Sequence, residues 1–196
     1  MTLPAATAAN ATHTVTGHGG TRLSVPEFGT ADGPPILLIH GWSQCHLSWL
    51  RQFTGPLADG FRLIAPDLRG HGQSEKPAEP EAYNTSAPWA GDIAAIVGQL
   101  GLNRPLLVGW SMGAAAVWHY LGAHGARGIA GLVTVDMSPR MASGDGWHLG
   151  MIGQSQEDMY ETSAKIIPRW PHMVKGIMHN MFSQTDGNAA VEQILK

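Results

Sequence analysis

Apolar positions in this chain fall into short runs broken by glycine and proline, and two spacings take turns along it. Residues 12–16 and 21–25 alternate polar and apolar around Gly17-His18-Gly19-Gly20, the pattern of a β-hairpin. Residues 36–39 are continuously apolar after Pro34-Pro35, which predicts a strand buried on both faces. A short helix is expected over 46–53, with Trp49 and Phe53 on one side, and a second buried strand over 61–65. Residues 86–100 carry Ile93, Ile96, Val97 and Leu100 on one helical stripe, with Ser86 available as a cap and Pro88 in the first turn. Buried strands follow at 106–108 and 129–135, separated by a helix over 112–121. Strands alternating with helices predict an α/β fold, a mostly parallel sheet with helices on both faces.

The pattern changes after Arg140. Seven of the nine methionines lie between Met137 and Met181, and no continuous apolar strand appears there. This divides the chain into a tail over residues 1–11, an α/β core over 12–139 and a helical cap or lid over 140–196. A Met-lined lid suits an apolar ligand of irregular shape.

Composition narrows the partners. Charged residues make up 14% and the net charge is −3, so the basic stripe that nucleic acid requires is missing. No apolar run is long enough for a membrane helix, and no basic segment precedes an apolar one at the N-terminus. With Cys45 as the one cysteine, a reducing, cytoplasmic location is expected. No grouping of His, Cys, Asp and Glu has metal-ligand spacing, and no glycine-rich phosphate loop follows a strand, so neither metal nor cofactor is expected. Nothing in the pattern sets an oligomeric state.

The candidate chemistry centres on Ser111, in Gly109-Trp110-Ser111-Met112-Gly113. With 25 glycines in the chain, a G-x-S-x-G match alone says little. Its setting says more, because it joins a buried strand to a helix of small residues. A nucleophile elbow needs that junction: a sharp turn exposes the hydroxyl, and flanking glycines remove side chains that would clash. The helix start then aims N–H groups at a developing oxyanion. Met112 would supply one such backbone donor. The other would come from Trp42, in the loop His40-Gly41-Trp42 that ends the first buried strand, where Gly41 permits close approach. His40 itself reads as a satisfied buried histidine.

Three blocks in order, residues 36–42, residues 65–74 and residues 109–113, resemble the α/β-hydrolase superfamily in its esterase, lactonase and cofactor-free haloperoxidase-like branch. The resemblance implies a serine hydrolase acting on an ester, lactone or thioester of a small, largely apolar acyl group. A perhydrolase or cofactor-free haloperoxidase is the alternative enzyme, and a non-catalytic ligand-binding scaffold the alternative of another class. In such enzymes a histidine activates the serine and an acid orients the histidine. The family order puts that histidine after the last strand of the sheet, which the resemblance implies would follow Lys196. His119 and His124 lie on the helix leaving Ser111, and His148, His172 and His179 lie in the lid. Asp136, at the carboxyl end of strand 129–135, is the candidate acid. Arg69 and His71 read as fasteners of loops.

Overall fold

A computed structural model describes residues 8–140, 142–144 and 146–150. The chain divides after Pro139 into two units, and all six strands found among the described residues belong to the first. Strand β1 (Ala11–Thr16) pairs antiparallel with β2 (Arg22–Gly29). The turn between them uses positive φ at Gly19 (66°) and Gly20 (84°), as the hairpin pattern predicts. Asn10 already donates its N–H to Glu27, so the sheet begins inside the expected tail. β2 also runs further than the sequence suggests. Pro26 does not end it, because its carbonyl still accepts the Ala65 N–H while a proline lacks only the donor.

Strands β3 (Pro35–Ile39), β4 (Arg62–Ile64), β5 (Leu106–Trp110) and β6 (Gly131–Val135) are mutually parallel. The spatial order is β1-β2-β4-β3-β5-β6, a mixed sheet with a parallel majority. Alternate residues of one strand feed two cores. Leu37 and Ile39 pack with Ile93, Ile96, Val117 and Tyr120 on one face. Ile36 and Leu38 pack with Phe28, Trp49 and Phe53 on the other. Continuous apolar runs are the signature of strands covered on both sides, and each buried Ile or Leu contributes roughly 1.5–3 kcal/mol.

The first face carries α3 (Ser86–Gln99) and α4 (Met112–His124). The second carries a 3₁₀ turn, His46–Trp49, that runs into α1 (Leu50–Phe53), and the short α2 (Leu57–Gly60). Thr85, not Ser86, occupies the N-cap of α3, and neither side chain makes the cap bond the sequence suggests. The larger departure is β6. It forms as expected, but Val133 and Val135 are 43% and 40% exposed, because β6 is the edge strand among the described residues. The expected lid falls largely outside the described residues. Its described part includes a tight turn, with Gly144 and Trp147 exchanging backbone hydrogen bonds.

Candidate active site

Parallel strands place their carboxyl ends along one edge of the sheet. Here those ends lead to His40-Gly41-Trp42 after β3, Ala65-Pro66-Asp67 after β4, Ser111 after β5 and Asp136 after β6. From β3 the chain crosses to β4 on one side, whereas β5 and β6 lie on the other. The connections therefore diverge between β3 and β5, and a crevice opens where they part. Gly41 and Ser111 stand at that point.

Ser111 has φ 51° and ψ −119°, a conformation that a residue with a Cβ adopts only under constraint, at about 1–3 kcal/mol. Its neighbours supply the constraint. The Ser111 N–H donates to the Val135 carbonyl at 2.9 Å, tying the elbow to β6 one residue before Asp136. The Ser111 carbonyl accepts the N–H groups of Ala114 and Ala115, so α4 starts directly from it. A Cβ at Gly109 would lie 2.5 Å from the Ala114 Cα, and one at Gly113 would run into the carbonyls of Ile39 and His40. Both glycines are sterically required by this turn, as the G-x-S-x-G reading expects. Trp110, between them, packs against the second core.

The loop after β3 comes as close. A Cβ at Gly41 would sit 3.3 Å from the Ser111 Cβ, so backbone of the β3 loop faces the serine directly. Met112 is the first residue of α4, and first-turn N–H groups have no intrahelical acceptor. Trp42 follows Gly41 and is partly exposed. The two expected oxyanion donors thus lie on the two segments that meet at Ser111.

His40 is fully buried. Its Nδ1–H donates to the Gly41 carbonyl at 2.8 Å, and its Nε2 accepts the Leu68 N–H at 3.0 Å. Desolvation above all, with the nearby His71 and His46, outweighs the Gly41 hydrogen bond and the Asp67 charge and lowers its pKa to about 4, so the ring is neutral. It is a buried histidine with both ring nitrogens bonded to backbone, and it fastens the loop. Asp67 behaves alike on the neighbouring loop. One carboxylate oxygen accepts the His46 N–H and Nδ1–H, and the other accepts the Gln73 N–H. Burial pushes the Asp67 pKa up, but the His46 hydrogen bond and charge and the backbone donors outweigh it and hold the group ionised. Cys45, His46 and Asp67 bring possible ligand atoms within 4.8 Å, a grouping their sequence spacing does not announce. The three N–H donors already occupy the carboxylate, and burial raises the Cys45 pKa away from the thiolate, so the cluster works as a staple between loops.

Arg69 is a further fastener and is buried. It meets Asp92 with Nε and Nη2, and its remaining donors reach the carbonyls of Ala82 and His18. Asp92 is 0% exposed on α3 and also accepts the His18 N–H. Sequence reasoning missed Asp92, although one carboxylate beside Ile93 and Ile96 is a signal that a buried cation must exist.

No described histidine of the first unit takes the place of a base for Ser111 by this geometry: His18 lies in the β1–β2 turn against Gly91 of α3, on the far side of the sheet from β5. His40 and His71 have both ring nitrogens committed to backbone groups, His13 pairs with Glu27 and His46 with Asp67. His119 and His124 lie about 12 and 20 Å along α4 from Ser111. His148 is exposed in the second unit, and His172 and His179 lie outside the described residues. Asp136 is exposed and has φ 52°, a second strained residue at the strand ends.

A mostly parallel sheet with a strained serine at a strand-to-helix turn on its switch point, faced by glycine backbone, defines a protein of the α/β class. The chain belongs to the alpha/beta hydrolase fold family, whose signature it matches over residues 34–167. It is 35% identical over 108 residues to "Epoxide hydrolase 3" of Siraitia grosvenorii, covering 55% of this chain and 33% of that protein. It is 33% identical over 126 residues to the "Non-heme chloroperoxidase" of Streptomyces lividans, covering 64% of this chain and 45% of that one. The crystal structure of esterase RhEst1 from Rhodococcus sp. ECU1013 superposes with a TM-score of 0.77 at 32% identity, over 94% of this chain and 66% of that chain. The chain thus spans between a third and a half of these two curated relatives. Among the described residues, no helix is long and apolar enough to cross a membrane.

Proposed function

We propose that the protein containing this chain is a serine hydrolase that cleaves a carboxylic ester, lactone or thioester of a small, largely apolar acyl group. The observation that carries this reading is Ser111 held at positive φ at the switch point, with the Gly41 backbone beside its Cβ. The hydroxyl attacks the acyl carbonyl, and the N–H groups of Trp42 and Met112 receive the negative charge on its oxygen. The acyl group then rests on Ser111 as an ester until water removes it. A base takes the hydroxyl proton and returns it to the leaving group; that base lies outside the first unit's described histidines.

The relatives' names include epoxide hydrolases, and chemistry separates the two reactions here. An epoxide opened by a serine hydroxyl would leave an ether on the protein, which the same site could not hydrolyse. An acyl group leaves an ester, which turns over. Serine at position 111 therefore favours acyl transfer. The esterase structures support the same choice, and the chloroperoxidase relative supports peracid formation as the second reading, since a perhydrolase would proceed through the same acyl-serine.

A fluorophosphonate probe should label the whole protein at Ser111, and Ser111→Ala should abolish both labelling and hydrolysis of a p-nitrophenyl acyl ester. Labelling that persists in the variant refutes the assignment. We assign Asp136 as the acid that orients the base, on its place one residue beyond the carbonyl that anchors Ser111. Asp136→Asn should lower kcat by about 10⁴-fold, as loss of an orienting carboxylate does elsewhere. Near-normal turnover moves the acid elsewhere in the protein.

A further inference from the structure

The loop that faces Ser111 is itself a strained turn. The Gln44 N–H closes onto the Gly41 carbonyl at 3.3 Å, and Ser43 has φ 58°. Positive φ in the third position of such a turn is the place for glycine or asparagine. Ser43 has neither advantage, and its buried Oγ finds no hydrogen-bond partner among the described residues. Something outside the turn must hold it. The Ser43 N–H donates to Nε2 of His71, 3.3 Å away on the loop after β4.

The chemistry of its partners fixes the state of His71. Nδ1 lies 3.0 Å from the Arg69 carbonyl, which can only accept, so Nδ1 carries the proton. Nε2 faces a backbone N–H, which can only donate, so Nε2 must be bare. A second proton on the ring would put N–H against N–H and release Ser43. The ring stacks at a tilt 5.2 Å from His40, which grips the same loop through Gly41 with the same tautomer. Other charged groups around His71 are Asp67, which favours the extra proton, and Lys76, which opposes it. Burial is the largest influence and keeps the ring neutral.

We propose that His71 is a positioning residue for the oxyanion loop, its bare Nε2 holding the Ser43 N–H so that the strained turn presents the Trp42 N–H beside Ser111. The loop hold stands on its own geometry, whereas its catalytic consequence rests on the acyl-transfer reading of Ser111. An oxyanion donor acts in the transition state, so displacing it lowers kcat and leaves KM nearly unchanged.

Two readouts on the whole protein separate these layers. At pH 8, His71→Ala should speed amide exchange over residues 41–46 roughly five- to tenfold, the scale of one net hydrogen bond. The same variant should lower kcat for a p-nitrophenyl ester by a similar factor with little change in KM. His71→Gln keeps an acceptor and cannot titrate; it should restore exchange and kcat to within about threefold of wild type and remove the His71 contribution to the acid limb of the pH–rate profile. Wild-type exchange in His71→Ala overturns the proposal, as does a His71→Gln variant as impaired as His71→Ala. Faster exchange in His71→Ala, in a wild-type protein that hydrolyses no ester, supports the loop hold and removes the acyl-transfer reading instead.

Discussion

Two turns at the carboxyl edge of this sheet, one on either side of the loop after β3, obey opposite rules. The loop from Asp67 to Ser74 satisfies its polar groups thoroughly: three N–H donors on Asp67, four hydrogen bonds from Arg69, and the Ser74 hydroxyl bridging the Asp67 carbonyl and the Ser24 N–H. The turn at Ser111 violates local preference, with a β-carbon residue at positive φ. The first turn stores stability and the second stores strain. Strain at Ser111 persists only where the surroundings over-determine it, and the stapled loop reaches those surroundings through the His71 hold on Ser43.

That contrast can be broken from either side. The largest effect is expected at the elbow. Ser111→Gly should abolish turnover, by about 10⁴-fold or more, while raising stability by roughly 1 kcal/mol, because glycine adopts positive φ without strain. A variant that loses both would show that Ser111 is not strained at all. The next effect belongs to the stapled loop. Asp92→Asn leaves Arg69 buried without its counter-charge and should lower unfolding free energy by about 3–5 kcal/mol in urea titration. Its turnover under folding conditions should stay within about threefold of wild type. A loss under 1 kcal/mol would mean that the pair is solvated.

Acid should separate the two turns more gently. His40 is neutral in the fold, with a pKa of about 4, whereas the unfolded chain takes up a proton near 6.5. Between these values the unfolded state holds more protons, so stability falls as pH drops from 6.5 towards 4, by up to about 3 kcal/mol, and is insensitive to His40 above 6.5. His71 shifts in the same direction. Asp67, and Glu27 through its Arg62 hydrogen bond, are held below their ordinary values, so their stabilisation is lost as pH falls through the carboxylate range. Thermal unfolding that is flat between pH 7 and 5 would contradict the buried, neutral His40.

The elbow was legible in the sequence because its constraints are local. Gly109 and Gly113 flank Ser111 within two residues, and a strand-to-helix junction shows in the spacing of apolar positions. Gly41 was legible for the same reason, at the end of an apolar run. Arg69 and His71 read as fasteners, but the partners of the staples were not legible. His71 meets Ser43 across 28 residues and His46 meets Asp67 across 21, and no periodicity links such pairs. The exposure of β6 was hidden for a related reason: an apolar run records what a strand can bury, whereas burial depends on what stands beside it. Pro26 shows that local rules can also mislead, since β2 uses only the carbonyl that proline retains.

The pairing of β3 with β5 has a kinetic consequence. Ile36 lies opposite Leu106, so the Gly41 loop and Ser111, the proposed oxyanion loop and nucleophile, are carried by strands 70 residues apart in the chain. Closing a loop of that length must be paid in entropy before any contact across it returns free energy. The hairpin of β1 and β2 and the turns of α3 and α4 need no such closure. Secondary structure can therefore accumulate while the two halves of the proposed site are still strangers, and competence at Ser111 waits on this closure of 70 residues.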